Sequence, residues 1–576
     1  MFDSCTAMRR FIRLCCSLAL LASLALAQPV VTWSGESMRL QSAAVTALPT
    51  GWRLTLTMGN DNGNSALGSS FRRWWHCEVG GLDPALTQSI EVRIANAGYT
   101  DIILPVWATS TNGVTFGGYA RLPVSAVPVY QSSQHVFTFT KPVGVSAIRL
   151  AKYFPWTVSA KNAWLAGLAG HPSGHVRAIN ILGTSIQGRS IELVELTNTA
   201  IPDIGKTRVW IHSGIHPAES TSYFAVEGLV SFLLSGDPRA EALLAQTILD
   251  IVPMANPDGV HLGNYRTNAA SSNLENEWAA PYNSVQPEII ALRSRIESFM
   301  GTSATPGANP VRALLNLHSS HNVAYPFHFQ HSANPSFNLS TNNSGVVPAV
   351  NAMEGQWIGA LRARSSFVNL GTTQTSSAGA PTRPFVESMM HDRWSINPLW
   401  TGAPNFLEQV MAITLEGTYG YGPVSGVWNV PDDYRTMGAG IALALGDFLG
   451  VLPALSVTTF GIPCAGGTQL TGTFTALASG AQLDLIASAA PPGWPAWLVV
   501  SPYTTNLPLP STNCPLLVSP DLLIPAALNA AGGWSLSVFI PSGLNMDLYA
   551  QFVAAAPLAQ GWSFEPSAAL RVVSLW

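Results

Sequence analysis

Two hydrophobic rhythms divide this chain. Early on, apolar and polar residues alternate in Trp52-Arg-Leu-Thr-Leu-Thr-Met58, Ile90-Glu-Val-Arg-Ile94 and Val136-Phe-Thr-Phe-Thr140, with Gly, Asn, Asp and Pro between the runs. Period two sends successive side chains to opposite faces, which is the pattern of half-buried strands. Many short strands separated by turns predict a β-sandwich over residues 28–168, closed by a short helix near Ala163–Leu168. From Val176 the rhythm changes. Buried strand-length runs at Arg208–Ile211, Thr247–Val252, Val311–Leu317 and Val410–Leu415 alternate with helical patterns at Ser222–Leu234, Pro287–Phe299 and Tyr434–Leu449. That alternation predicts an α/β domain over residues 169–452, with a mixed, mostly parallel sheet and helices on both faces. Residues 453–576 return to short strands and turns, almost without charge, and predict a C-terminal accessory β-sandwich.

The chemistry-bearing residues fall at strand ends in the middle domain. His216-Pro-Ala-Glu219 lies in a turn after a buried strand and before a helix. Imidazole and carboxylate three residues apart can face one point, as a shared metal ion requires. His318 follows the apolar run Leu314-Leu-Asn-Leu317, and Glu416 ends Ala412-Ile-Thr-Leu415. Taken alone, His318 reads as a core-edge histidine bonded to backbone, and Glu416 as one half of an ion pair. Together the set reads differently. His216, Glu219 and His318 make a His₂Glu set for Zn²⁺ with one position left open, and Glu416 is the natural general base.

These residues, in this order on these elements, resemble the zinc metallocarboxypeptidase family. Leu182-Gly-Thr-Ser-Ile-Gln-Gly-Arg189 looks like the family's strand-turn before the first ligands, and Pro253-Met-Ala-Asn-Pro-Asp-Gly259 looks like its signature loop. The closest subfamily is the cytosolic-type carboxypeptidases, which carry a β-sandwich before the catalytic domain. Phe71-Arg-Arg-Trp-Trp-His-Cys-Glu78 and Ala151-Lys-Tyr-Phe-Pro-Trp156 resemble that sandwich. The resemblance implies a zinc carboxypeptidase-like fold and a peptide or peptide-like substrate. It implies His216, Glu219 and His318 as metal ligands, Glu416 as proton carrier, and Arg266 as the clamp for a carboxylate and the scissile carbonyl.

The chain departs from the family in two places. Where the family reads Leu-Asn-Arg, this chain has Leu274-Glu275-Asn276. A Glu there sets an anion against the peptide's terminal carboxylate, and Asn276 lacks the guanidinium fork. Glu275 and Asn276 are therefore expected to contact substrate and to alter which end is recognised. The family's mobile Tyr also has no counterpart, because no Tyr lies between Tyr325 and Tyr419; Tyr419 or Tyr421 is the substitute. The alternative function is a secreted peptide- or glycan-binding protein with a vestigial site.

Composition narrows the setting. Charged residues are 10% of the chain and the formal charge is −4, so no basic field for nucleic acid exists. Met8-Arg-Arg-Phe-Ile-Arg13, the apolar run Leu14–Leu24 and Ala25-Leu26-Ala27 form a signal-peptide pattern over residues 1–27. The run is shorter than the ~20 residues a bilayer span needs. These features predict a secreted or cell-envelope protein, with envelope contact through its last domain. Of the six cysteines, Cys77, Cys464 and Cys514 lie beyond the signal. Export favours a Cys464–Cys514 disulfide and leaves Cys77 as a buried apolar thiol rather than a nucleophile.

Overall fold

The computed structural model describes residues 28–321, 325–334, 345–369, 385–396, 409–422, 427–452, 455–461, 467–477, 480–509, 515–541, 546–559 and 562–574. It divides into two compact units, Met1–Phe448 and Leu449–Trp576. The read signal segment, Cys464 and Cys514 lie outside the described residues.

The first unit begins with two five-stranded sheets. One contains Gly51–Thr57, Gln88–Ala95 and Gln134–Lys141; the other contains His76–Gly80, Val106–Ser110 and Ala147–Ala151. Period two does what it predicts. Leu54, Leu56, Val92, Ile94, Phe137 and Phe139 of one sheet share a core with Cys77, Val79, Ile148 and Leu150 of the other. The closing helix is longer than the apolar pattern suggests, Val158–Ala169, because Thr157 caps it by accepting from the Ala160 amide at 3.1 Å.

A seven-stranded mixed sheet follows, in the order Val176–Thr184, Ser190–Leu196, Thr247–Val252, Thr207–Ser213, Val311–Ser320, Met411–Thr418, Phe327–His328. The four central strands pair parallel with one another, and the flanking strands pair antiparallel. The predicted parallel character thus belongs to the middle of the sheet. Trp210, Leu314 and Ala412 pack with Ile289, Leu292 and Ile296 of the helix Pro287–Met300. The helices Thr221–Leu233 and Pro431–Phe448 pack closely on each other. Glycines make this possible: a Cβ on Gly438 would meet the Leu229 amide at 2.6 Å, and one on Gly228 would meet the Arg435 carbonyl carbon at 2.5 Å.

Parallel pairing matters most at one register. His318 lies directly beside Glu416, and Ser213 beside Leu317. The strand ends that carry the candidate ligands therefore reach the same edge of the sheet, where sites of open α/β sheets gather.

The second unit is β-rich. A five-stranded and a three-stranded sheet share a core in which Leu470, Leu483 and Leu485 meet Leu498, Phe552 and Leu570.

Candidate metal and active site

Three side chains converge on one point. Glu219 Oε1 lies 2.9 Å from His216 Nδ1, and Glu219 Oε2 lies 2.8 Å from His318 Nδ1. The two imidazole Nδ1 atoms face each other at 3.1 Å. All three residues are buried. Local structure explains the approach: Ser213 ends a strand, Gly214 turns in the left-handed region, and the helix from Thr221 begins directly after Glu219-Ser220. Asn256 of the signature-like loop supports that turn by donating to the Ile215 carbonyl at 3.2 Å. Asp258 in the same loop accepts from Ser185 and Arg189, each at 2.7 Å, which ties in the Leu182–Arg189 segment.

The electrostatics suit a cation. Burial would raise the Glu219 carboxyl, but His216 and His318 hold it well below the usual carboxylate range. Burial would lower His318, but Glu219 and Glu275 hold it well above its ordinary value. Burial lowers His216, with Arg266 adding to the effect. These opposed shifts favour positive charge between the two facing ring nitrogens and the carboxylate. A divalent cation at that place would supply that charge. The ligand atoms of His216, Glu219 and His318 lie within 4.8 Å of one another, and two imidazoles with a carboxylate are a zinc donor set. Of the opposite ring nitrogens, His216 Nε2 is held by Asn273 Oδ1 at 3.0 Å, while His318 Nε2 lies at ion-pair distance, 3.4 Å, from Glu275 Oε2 without a hydrogen bond between them. Such outer partners orient metal-binding histidines. The residues fit the metal.

Arg266 stands at this cluster, with Nη1 3.9 Å from Glu219 Oε1 and a side chain one-third exposed (33%). Glu416 is partly buried, and its Oε2 is buried without a partner among the described residues. Burial first, then the Glu219 charge, pushes its carboxyl up to about 8 in the protein alone. A nearby divalent charge acts in the opposite sense.

The structure places Glu275, Asn276 and Tyr419, the residues expected to contact substrate, as follows. Residues Leu274–Asn276 form a 3₁₀ turn capped by Asn273, which turns successive side chains by about 120°. Leu274 and Glu275 therefore go inward and Asn276 outward into solvent. Glu275 is buried, facing His318 and accepting from Asn316 at 3.1 Å. Tyr419 is buried too, and its hydroxyl donates to the Ala218 carbonyl at 3.0 Å. Sequence reasoning missed the Asn273–His216 contact, for which the polar residue beside the departed triplet was the only signal. It also missed the sandwich residues Lys152 and Asp61. Lys152 Nζ reaches His321, beside the Tyr419 ring at 4.5 Å.

Comparison with known proteins agrees with this geometry. Residues 161–274 match the zinc carboxypeptidase family model. The metallo-carboxypeptidase from Burkholderia cenocepacia superposes with a TM-score of 0.56 at 21% identity, covering 73% of this chain and 99% of that one. The Pseudomonas aeruginosa metallo-carboxypeptidase gives 0.55 at 20%, covering 74% of this chain and 100% of that one. At this identity the likeness establishes the fold. The chain thus carries a zinc-carboxypeptidase domain, with the fold of carboxypeptidase-like hydrolases and a ligand cluster for zinc.

Within that class the curated likeness is to the cytosolic carboxypeptidases. Cytosolic carboxypeptidase 6 of Caenorhabditis elegans is 31% identical over 194 residues, 31% of this chain and 40% of the relative. Human cytosolic carboxypeptidase 1 is 24% identical over 276 residues, 42% of this chain and 22% of the relative. The chain therefore spans well under half the length of these relatives. These relatives are named cytosolic, which contradicts the expected secreted or envelope location. A basic stretch before a short apolar run is a compositional pattern, and it did not decide the compartment. The disulfide and the envelope contact lose their premise with it. Among the described residues, no helix is long and apolar enough to cross a membrane.

Proposed function

We propose that the protein is a zinc-dependent carboxypeptidase that hydrolyses a peptide or amide bond at a chain end. The convergence of His216, Glu219 and His318, with Glu416 in register beside His318, carries this reading. Zinc held by His216, Glu219 and His318 would supply a Lewis acid for the carbonyl and would lower the pKa of an attacking water. The protein's residues do the rest. Glu416 accepts the proton of that water and passes it to the leaving amine, a cycle suited to a carboxyl with one oxygen unpartnered among the described residues. Arg266 places a fixed positive charge beside the cluster, where it binds a substrate carboxylate or offsets charge growing on the scissile carbonyl.

Glu275 no longer opposes a free terminal carboxylate in this reading, because its side chain is turned to His318. Arg266 then serves as the carboxylate clamp. The test is a mass-read digest of a peptide library with free and amidated C-termini, with and without chelator. Release of single residues from free C-termini, abolished by chelator and restored by zinc, is the expected result. Zinc-loaded protein that binds these peptides without cutting any of them would instead make it a binding protein.

A further inference from the structure

The loop that carries Arg266 is held by another part of the unit. Asp61, from the β-sandwich, is fully buried (0% exposed), and its carboxylate accepts from three successive backbone amides: Tyr265 at 2.6 Å, Arg266 at 2.8 Å and Thr267 at 2.8 Å. Successive amides converging on one point form a concavity for an anion, and here the protein fills it itself. Asn62, in the left-handed region at φ 55°, adds a second set of bonds. Its amide donates to Asn264 Oδ1 at 3.0 Å and its side chain to the Asn268 carbonyl at 2.8 Å, while Asn264 donates back at 2.9 Å. The front of the loop is tied as well, since Arg39 donates to the Leu262 carbonyl at 2.9 Å and Ser37 to that of His261 at 3.0 Å.

We propose that Asp61, with Asn62, is the positioning residue for Arg266, so that the sandwich sets the place of the catalytic domain's carboxylate clamp. The proposal rests on the carboxypeptidase reading for what Arg266 does. A loop released by about 1 Å would misplace the guanidinium, and misplacement of that size costs on the order of 100-fold in rate. Asp61→Asn is the milder variant, since it keeps the shape but turns an N–H₂ or a weaker acceptor toward the amides. Asp61→Ala is the full deletion.

Two measurements on the full chain decide it. The first is amide hydrogen exchange over residues 264–268, which needs no catalysis. Exchange should be at least about tenfold faster in Asp61→Asn than in the parent protein; equal protection overturns the proposal. The second is kcat/KM in a cycle of Asp61→Asn and Arg266→Ala, with zinc content measured alongside. A fall of about 10–100-fold that disappears in the Arg266→Ala background is expected. An equal fall in both backgrounds shows a general structural effect and overturns it. If the zinc-loaded parent cuts no peptide, the carboxypeptidase reading fails, and the exchange measurement alone decides the clamp.

Discussion

Gly417 is the residue at which one methyl group should disturb the whole site. It follows Glu416, and a Cβ there would collide with Thr221 Oγ1 and lie 2.9 Å from Tyr434 Cε1 and 3.0 Å from Thr221 Cβ. Carbon contacts need at least ~3.5 Å, so Tyr434 must retreat by about 0.6 Å and Thr221 by more than that, because its Oγ1 is the nearest atom. Neither can move alone. Thr221 is bonded to Ser319, next to His318, and stands two residues from Glu219; Tyr434 donates to the Thr418 carbonyl. The strain therefore passes to two metal ligands, whose distances tolerate only about ±0.2 Å. Gly417→Ala should lower zinc affinity by about 10–100-fold, the range seen when ligand support is lost. Overpacking should also cost about 1–3 kcal/mol of stability. Chelator competition reads the first and urea unfolding the second. Zinc affinity within twofold of the parent, at an unchanged urea midpoint, would refute the packing argument.

Other outcomes follow from the same structure. Glu275→Gln removes the carboxylate behind His318, and zinc affinity at pH 8 should weaken about 10–100-fold by chelator competition; unchanged affinity means Glu275 does not act on that ring. Gly438→Ala puts a methyl against the backbone of Ala225 and Leu229, so urea unfolding should show a loss of at least about 2 kcal/mol; a neutral result would show that the two helices slide apart freely. Cys77 is fully buried and its thiol is pushed up to about 12, first by burial and then by Glu78. It should resist iodoacetamide at pH 8 in the folded protein and react in urea, and rapid labelling of native protein would contradict the packed sandwich.

Much of this protein was legible in its residue order. Strand runs such as Thr247–Val252 and helices such as Pro287–Met300 appear almost where periodicity places them, because burial on one face leaves a local trace. The ligand types were legible too, since two imidazoles and a carboxylate at strand ends make a zinc donor set. The orientation of Glu275 was not. A 3₁₀ turn of three residues has no periodic signature, and its direction depends on Asn316 and His318, far away in the chain. The same holds for Asp61, which as a sequence is simply a turn residue before Asn62-Gly63.

Sequence alone determined the alternation of layers and the donor set, since both arise from side-chain chemistry repeated at short range. Tertiary structure decided which of those donors meet, by placing His318 beside Glu416 through parallel register and by closing the turn after Ser213 against the loop at Asn256. It also decided that the sandwich grips the Arg266 loop, because three amides can share one carboxylate only after distant segments have been packed together.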